Sequence, residues 1–390
     1  MKHILIIASY GPSLINFRLN LIKELISKGY KVSVASPKDK FSDNLQKELK
    51  DLGVHINIFS LSSVGLNFFK DFKTILEIFR IIQKSKPNII ISYTAKPVIY
   101  TGLVLKYFKK ISYFPMITGL GYAFIHKELI KHKIIKYFIT KLYQISLKNS
   151  SKIIFQNKDD QSLFSELKII FQNKDDKDLC KKLKIIKKNN LTKIVNGTGV
   201  DLNVYPFSNL PSEPIFLMIS RLLVDKGVRE YVEAAKIVRS RFSNARFQLA
   251  GSLDENPSGI MVKELQSWIN EGDIEYLGEI KSVQSILRLC KYYVLPSYRE
   301  GTPRSTLEAL STGRPIITTD VPGCRETVVH DKNGLLIPAR DTSALANAMI
   351  RLLEEKEEVI QKMGKESFRI AKSKFEINKV NDNLFNIMGL

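Results

Sequence analysis

At 390 residues the chain exceeds what one hydrophobic core usually fills, so two domains of about 150 to 200 residues each are expected. Hydrophobic residues at 44% and charged residues at 25% exclude a disordered chain, and three scattered cysteines exclude a disulfide framework. The net charge of +21 is lopsided: residues 1–195 hold 35 Lys and Arg against 14 Asp and Glu, and the remainder holds 25 against 25.

Along the first half, short apolar runs alternate with helical patterns. Ile4–Ala8 precedes a helix over Asn16–Ser27, Lys31–Ala35 precedes Ser42–Leu52, and Asn88–Tyr93 precedes Val98–Phe108. The opening run reads as a buried strand, too short for a signal segment or a membrane span. No window holds the ~18 uninterrupted apolar residues of a spanning helix, since lysines interrupt even Ile134–Leu147, and a cytoplasmic location is expected. Residues 153–168 and 169–184 form a tandem repeat, each beginning IIFQNKDD and identical at 11 of 16 positions. Two copies are too few for a solenoid, so one is expected as a strand and the other as a surface insertion.

A connector around Tyr205–Pro214 leads to strands at Ile215–Ile219, Arg246–Ala250, Ile274–Leu277, Tyr292–Leu295 and Pro315–Thr318. This is the rhythm of parallel sheets wrapped by helices, and it predicts two doubly wound α/β domains facing a central cleft. The expected divisions are 1–205, 206–372, and a C-terminal helix over 373–390 that crosses back to the first domain. Ligands of such sheets bind where strands end at their carboxyl edge, so the loops at 11–17, 118–124, 220–227, 251–257 and 297–305 are where chemistry is sought. Cys180, Cys290 and Cys324, and His3, His55, His126, His132 and His330, show no metal-ligand spacing, so no metal or other cofactor is expected.

Two motifs carry chemistry. Residues 297–308 read SYREGTPRSTLE, with Glu300 and Glu308 separated by seven residues just after a strand and entering a helix. Gly301 permits close backbone approach, Pro303 suits the first helical turn, and the free N–H groups of that turn suit a diphosphate. Glu308, about two turns along, has the bidentate carboxylate that a ribose diol takes. Residues 219–227 read ISRLLVDKG, where Arg221 offers a fixed fork of donors and Lys226 a point charge, together a phosphate clamp. Two glutamates at this spacing also occur on solvated helices, and a lone Arg or Lys is commonly a surface cation. The flanking Gly-Thr-Pro and the preceding strands favour the functional reading.

In this order and in this half of the chain, the two motifs resemble those of the retaining glycosyltransferases of the GT-B fold, family four. The stretches GPSLINFR (11–18), TGLGYAF (118–124), NGTGVD (196–201) and DENPS (254–258) are similar to those of transferases that extend an undecaprenyl-diphosphate-linked sugar, N-acetylgalactosaminyltransferases among them. The resemblance implies Arg221 and Lys226 on the donor diphosphate, Glu308 on the ribose and Glu300 beside the donor sugar. It also implies backbone contacts from Gly301, Thr302 and Pro303, Gly11 near the donor phosphates, and Thr118, Gly119 and Gly121 on the acceptor side. The donor would be a UDP-sugar, and the acceptor a polyprenyl-diphosphate-linked saccharide. One departure is that many family members place a histidine in the first-domain loop, where this chain reads MITGLG.

The basic first half then has a candidate purpose. Lys127, Lys131, Lys133, Lys136 and Lys141 recur at helical spacing among apolar residues and predict a helix lying on the acidic inner face of the cytoplasmic membrane, a peripheral association. An ordinary amphipathic helix with a solvated lysine face is the alternative. A nucleic-acid partner is not expected, since no binding module is present and the 219–227 and 297–308 loops would go unused. A UDP-sugar epimerase of similar two-domain shape remains a second enzymatic reading.

Overall fold

The structure is a computed structural model that describes the chain outside residues 39–41, 63–66, 119–129, 149, 157–191, 255–257 and 281. It divides into two compact units, Met1–Val195 with Asn381–Leu390, and Asn196–Val380.

The first unit runs β1 (His3–Ile7), α1 (Pro12–Ser27), β2 (Lys31–Pro37), α2 (Asp43–Asp51), β3 (His55–Phe59), α3 (Phe68–Ser85), β4 (Ile89–Tyr93), α4 (Ala95–Val104), β5 (Ser112–Ile117), α5 (Ile130–Leu147), β6 (Ile153–Phe155) and β7 (Thr192–Ile194). All seven strands are parallel, in the order β3-β2-β1-β4-β5-β6-β7. Every residue of β1 and β4 is buried, the continuous apolar run of a sheet covered on both faces. The first copy of the tandem repeat therefore supplies a sheet strand, β6, while the second copy lies outside the described residues.

The second unit contains β8 (Ile215–Ile219), α6 (Val228–Arg239), β9 (Arg246–Ala250), α7 (Val262–Asn270), β10 (Glu275–Gly278), α8 (Val283–Leu289), β11 (Tyr292–Leu295), α9 (Arg304–Ser311), β12 (Ile316–Thr319), β13 (Gly334–Ile337), α10 (Thr342–Glu354) and α11 (Glu357–Ile370). Its six parallel strands run β10-β9-β8-β11-β12-β13. An aromatic ladder fixes the centre of this sheet. Phe216 on β8 is in register with Phe247 on β9 and Tyr292 on β11, and its ring stacks on theirs at centroid distances of 5.3 and 4.7 Å.

The last helix, α12 (Ile377–Met388), starts in the second unit, and Asn381–Leu390 clusters with the first. There Asn381 Nδ2 donates to Glu24 at 2.9 Å and Lys152 Nζ donates to the Ile387 carbonyl at 2.5 Å. The segment Asn196–Tyr205 packs with the second unit, because Val200 N donates to Phe375 O at 2.8 Å and Ser311 Oγ donates to Tyr205 O.

Some of the elements outside the expected rhythm have identifiable reasons. β5 contains Pro115, which ordinarily demotes a run from a central strand. β3 is an edge strand with mixed burial, and β13 is only four residues long. α3 keeps apolar residues at helical spacing, Phe72, Ile75, Phe79 and Ile82, with Ile78 and Ile82 buried, so its period was legible although no helix was expected there. The expected strand at Ile274–Leu277 is shifted by one, to Glu275–Gly278.

Candidate functional site

Strand order locates the site in the second unit. β8 leads on through α6 to β9 on one side, while β11 flanks it on the other, so the direction of winding reverses between β8 and β11. The loops leaving these two strands open side by side at such a reversal, which is where doubly wound sheets hold ligands. They are the 220–227 and 296–303 loops.

Backbone bonds knit the two loops together. Tyr298 N donates to Asp225 O at 2.8 Å, and Ser297 Oγ donates to the same carbonyl at 3.2 Å. Glu300 N is held by Pro322 O at 3.0 Å. Gly227, at φ +76°, lies so close that a Cβ there would sit 2.2 Å from Pro296 O. Only glycine meets both demands, left-handed backbone and contact with a neighbouring carbonyl.

On this frame Lys226 Nζ donates to Glu300 Oε1, both side chains largely shielded at 21% and 14% exposure. Arg221, on the same loop, has a different partner. Its guanidinium, 61% exposed, donates to Asp254 Oδ2 at 2.7 Å. The expected pair is thus divided between two carboxylates, because Arg221 stands at the start of the loop facing the β9 end and Lys226 at its far end facing the β11 end. Asp254 was legible only as part of the 254–258 stretch, since nothing local ties it to Arg221.

Gly301 and Thr302 follow Glu300, and Pro303 caps α9 in extended conformation (φ −72°, ψ 115°), so it precedes the first helical turn instead of occupying it. No side chain caps this helix start. Ser305 Oγ donates to Ile219 O at 3.1 Å and lies 2.6 Å from the Tyr293 hydroxyl, which seats the first turn over the ends of β8 and β11.

Glu308 is the fifth residue of α9, one turn in and not two, and is buried at 6% exposure. Arg304, one turn earlier, donates Nε to its Oε1 at 2.7 Å, and the Tyr205 hydroxyl hydrogen-bonds the same carboxylate. Burial pushes the Glu308 carboxyl above the usual range, against the pull of Arg304 and Tyr205. Tyr205 is itself held far above the ordinary phenol range by burial and then by the Glu308 charge. The i,i+4 spacing of Arg304 and Glu308 was visible in the sequence. Tyr205, arriving from the connector, carried no such signal.

In the first unit Gly11 is the N-cap of α1, in helical conformation (φ −55°, ψ −49°) at the end of the loop leaving β1. Thr118 follows the last residue of β5 and is half-buried. Gly119, Gly121 and Lys127 lie outside the described residues, as do the side chains of Lys131, Lys133 and Lys136 on α5; Lys141 is half-buried. His3 is buried, with its ring nitrogens 2.9 Å from Ser85 O and 2.8 Å from Ser33 Oγ. Cys290 and Cys324 are buried free thiols, pushed up to about 12 by burial. Among the described residues no group of three or more His, Cys, Asp and Glu stands where it could hold a metal ion.

Residues 213–355 match the family described as Glycosyl transferases group 1, and residues 3–157 match Glycosyl transferase 4-like. The chain is 30% identical over 359 residues, 88% of each chain, to the N,N'-diacetylbacillosaminyl-diphospho-undecaprenol alpha-1,3-N-acetylgalactosaminyltransferase of Campylobacter jejuni. It is 26% identical over 308 residues, 75% of this chain and 73% of the other, to the UDP-Gal:alpha-D-GlcNAc-diphosphoundecaprenol alpha-1,3-galactosyltransferase of Escherichia coli. Among solved structures it superposes on sucrose-phosphate synthase from Thermosynechococcus elongatus with a TM-score of 0.77, at 18% identity and covering 99% and 98% of the two chains. Anabaena HepE in complex with UDP gives a TM-score of 0.74 at 18% identity, covering 100% of both chains.

Proposed function

The chain belongs to the group 1 glycosyl transferases and has the GT-B fold of two Rossmann-like domains, and from that premise we propose a specific reaction. It moves an N-acetylhexosamine, best read as N-acetylgalactosamine, from a UDP-sugar to a saccharide carried on a polyprenyl diphosphate during cell-surface glycan assembly, with retention of anomeric configuration. The observation that carries this reading is the likeness to the Campylobacter jejuni transferase over 88% of both chains. The site supplies chemistry that fits it.

As a sugar leaves its diphosphate, positive character grows at the anomeric carbon and negative charge on the phosphate. Lys226 and Arg221, on the loop leaving β8, neutralise that charge, the part a divalent cation plays in other transferases. Each exchanges a carboxylate partner, Glu300 or Asp254, for the incoming phosphates. The uncapped start of α9 adds oriented N–H groups and the positive end of its dipole. Glu300 stands beside the donor sugar. Glu308, oriented by Arg304 and Tyr205, accepts from the ribose hydroxyls. No second carboxylate is placed as a nucleophile, so same-face attack assisted by the departing phosphate is the proposed course. Isolation of a glycosyl adduct on Glu300 would overturn it.

No helix among the described residues is long and apolar enough to cross a membrane. The proposed polyprenyl-linked acceptor, as named for the Campylobacter jejuni relative, would be met by peripheral association with the inner face of the cytoplasmic membrane. The Escherichia coli relative, named for a UDP-Gal donor, favours a second reading in which the same site transfers galactose.

The test is release of UDP by purified protein from UDP-GalNAc, UDP-GlcNAc and UDP-Gal, with and without a diphosphoundecaprenol-linked N-acetyl sugar. Acceptor-dependent release from UDP-GalNAc, lost in Lys226→Ala, supports the reaction. Acceptor-dependent release from UDP-Gal alone selects the second reading, and conversion of one UDP-sugar into another with neither acceptor nor UDP release would point to an epimerase.

A further inference from the structure

We propose that Tyr298 and Arg340 are positioning residues that hold Lys226 in place for the donor diphosphate. Tyr298 bonds on both sides of Lys226. Its backbone N donates at 2.8 Å to the carbonyl of Asp225, the residue directly before Lys226, and its hydroxyl donates at 2.5 Å to Oε1 of Glu230 in the first turn of α6. Lys226 and Gly227 lie between these two attachment points, so one tyrosine brackets the stretch that carries the ammonium. The other Glu230 oxygen, Oε2, is buried without a hydrogen-bond partner, which makes the phenol the more costly to lose. Burial, and then the bond to Glu230, hold the phenol above its ordinary range, so it stays protonated and keeps donating.

Arg340 covers the ring from outside. It stands exposed in the turn between β13 and α10, its guanidinium carbon 4.6 Å from the centroid of the Tyr298 ring. Its backbone is left-handed, at φ 62°, a conformation that side chains other than those of Asn, Asp and His rarely hold. The strain of such a residue exceeds what one exposed cation–π contact returns. Asparagine or glycine would occupy this turn at lower cost, so stability does not account for an arginine here. What the arginine adds is a lid on Tyr298. The surrounding loop is braced independently, Thr319 Oγ1 donating to Ser297 O and Ser297 Oγ to Asp225 O, so loss of the lid or of the phenol is expected to loosen Lys226 and leave the loops folded. The inference rests on the role proposed above for Lys226 at the donor phosphates.

The experiment is calorimetric titration of the full chain with UDP, alongside thermal melts, for Tyr298→Phe, Arg340→Asn and Arg340→Lys, each made in the wild type and in a Lys226→Ala background. Tyr298→Phe keeps the ring and removes the hydroxyl, and is expected to weaken UDP about tenfold. Arg340→Asn suits left-handed backbone and removes the cation, so UDP should weaken by about threefold to fivefold while the melting temperature holds or rises. Arg340→Lys keeps a cation on the same strained backbone and should lose less. In the Lys226→Ala background none of the three should weaken UDP further, because the ammonium that they hold is gone. A merely structural role predicts the reverse, with losses that add to that of Lys226→Ala and follow the melting temperature. Additive losses overturn the proposal, as does full affinity for UDP in both Tyr298→Phe and Arg340→Asn. So does a wild type without affinity for UDP, or a Lys226→Ala chain that binds it equally well. A wild type that binds UDP but transfers no sugar would remove the proposed reaction, while the affinities still decide this inference.

Discussion

Lys226 reaches Glu300 across the gap between two loops that leave different strands, and this bond joins the two motifs of the second unit into one site. The ammonium is held on this loop by a carboxylate that the proposed reaction has it exchange for the donor phosphates. Lys226→Ala removes the charge proposed to neutralise the leaving group. It is expected to lower kcat/KM by about 10² to 10³-fold, or about 2 to 4 kcal/mol, measured by UDP release. An activity within a few-fold of wild type would remove Lys226 from the reaction.

Arg221→Ala separates catalysis from stability. The Arg221–Asp254 pair is exposed on the arginine side, and exposed pairs contribute about 0 to 1 kcal/mol to folding. The melting temperature is therefore expected to fall by no more than about 4 °C, since about 1 kcal/mol moves it by about 2 to 4 °C in domains of this size. Activity should fall by about two orders of magnitude. A melt that drops as far as the activity does would make Arg221 a structural residue.

Tyr205→Phe tests the connector's hold on Glu308. Removing one donor to a buried carboxylate costs about 1.5 to 3 kcal/mol. If Glu308 holds the ribose, part of that loss appears as weaker UDP binding by calorimetry. Phenylalanine keeps the ring, so packing is preserved. Unchanged nucleotide affinity would leave Tyr205 with a folding role only.

Stability should also depend on pH through Glu308. Burial raises its folded-state pKa above the unfolded value, so the folded chain holds this proton more tightly. Its favourable contribution is complete below the usual glutamate range and is lost as pH climbs through the raised value. Glu308→Gln cannot titrate. The variant's melting temperature relative to wild type should therefore rise from about pH 4 towards neutrality, and a difference that stays flat or falls across that window contradicts the assignment.

Gly227→Ala places a methyl group against Pro296 O on left-handed backbone. The strain alone costs about 1 to 3 kcal/mol, and relief requires the 220–227 and 296–303 loops to part. Both a lower melting temperature and weakened UDP binding are expected. Substitution at Gly29, also at positive φ but with nothing near its Cβ, serves as the control and should affect the melt only.

The sequence by itself determined the class of fold and the loops that matter. Continuous buried runs such as Ile4–Ile7 and Ile215–Met218, each followed by a helical period, specify parallel strands covered on both faces, because hydrophobic burial acts locally and leaves a periodic trace. The Glu300–Glu308 and Arg221–Lys226 spacings were legible because each pair lies within one short stretch that follows such a strand. Tertiary structure alone decided which strands adjoin, and with that which side chains meet. The reversal of winding at β8 and β11 sends Lys226 to Glu300 and leaves Arg221 to Asp254, and it is the folded connector that brings Tyr205 onto Glu308. α3 went unread although Phe72, Ile75, Phe79 and Ile82 keep a helical period. Partners distant in the chain are chosen by topology and burial, and neither writes a period into the residues that it brings together.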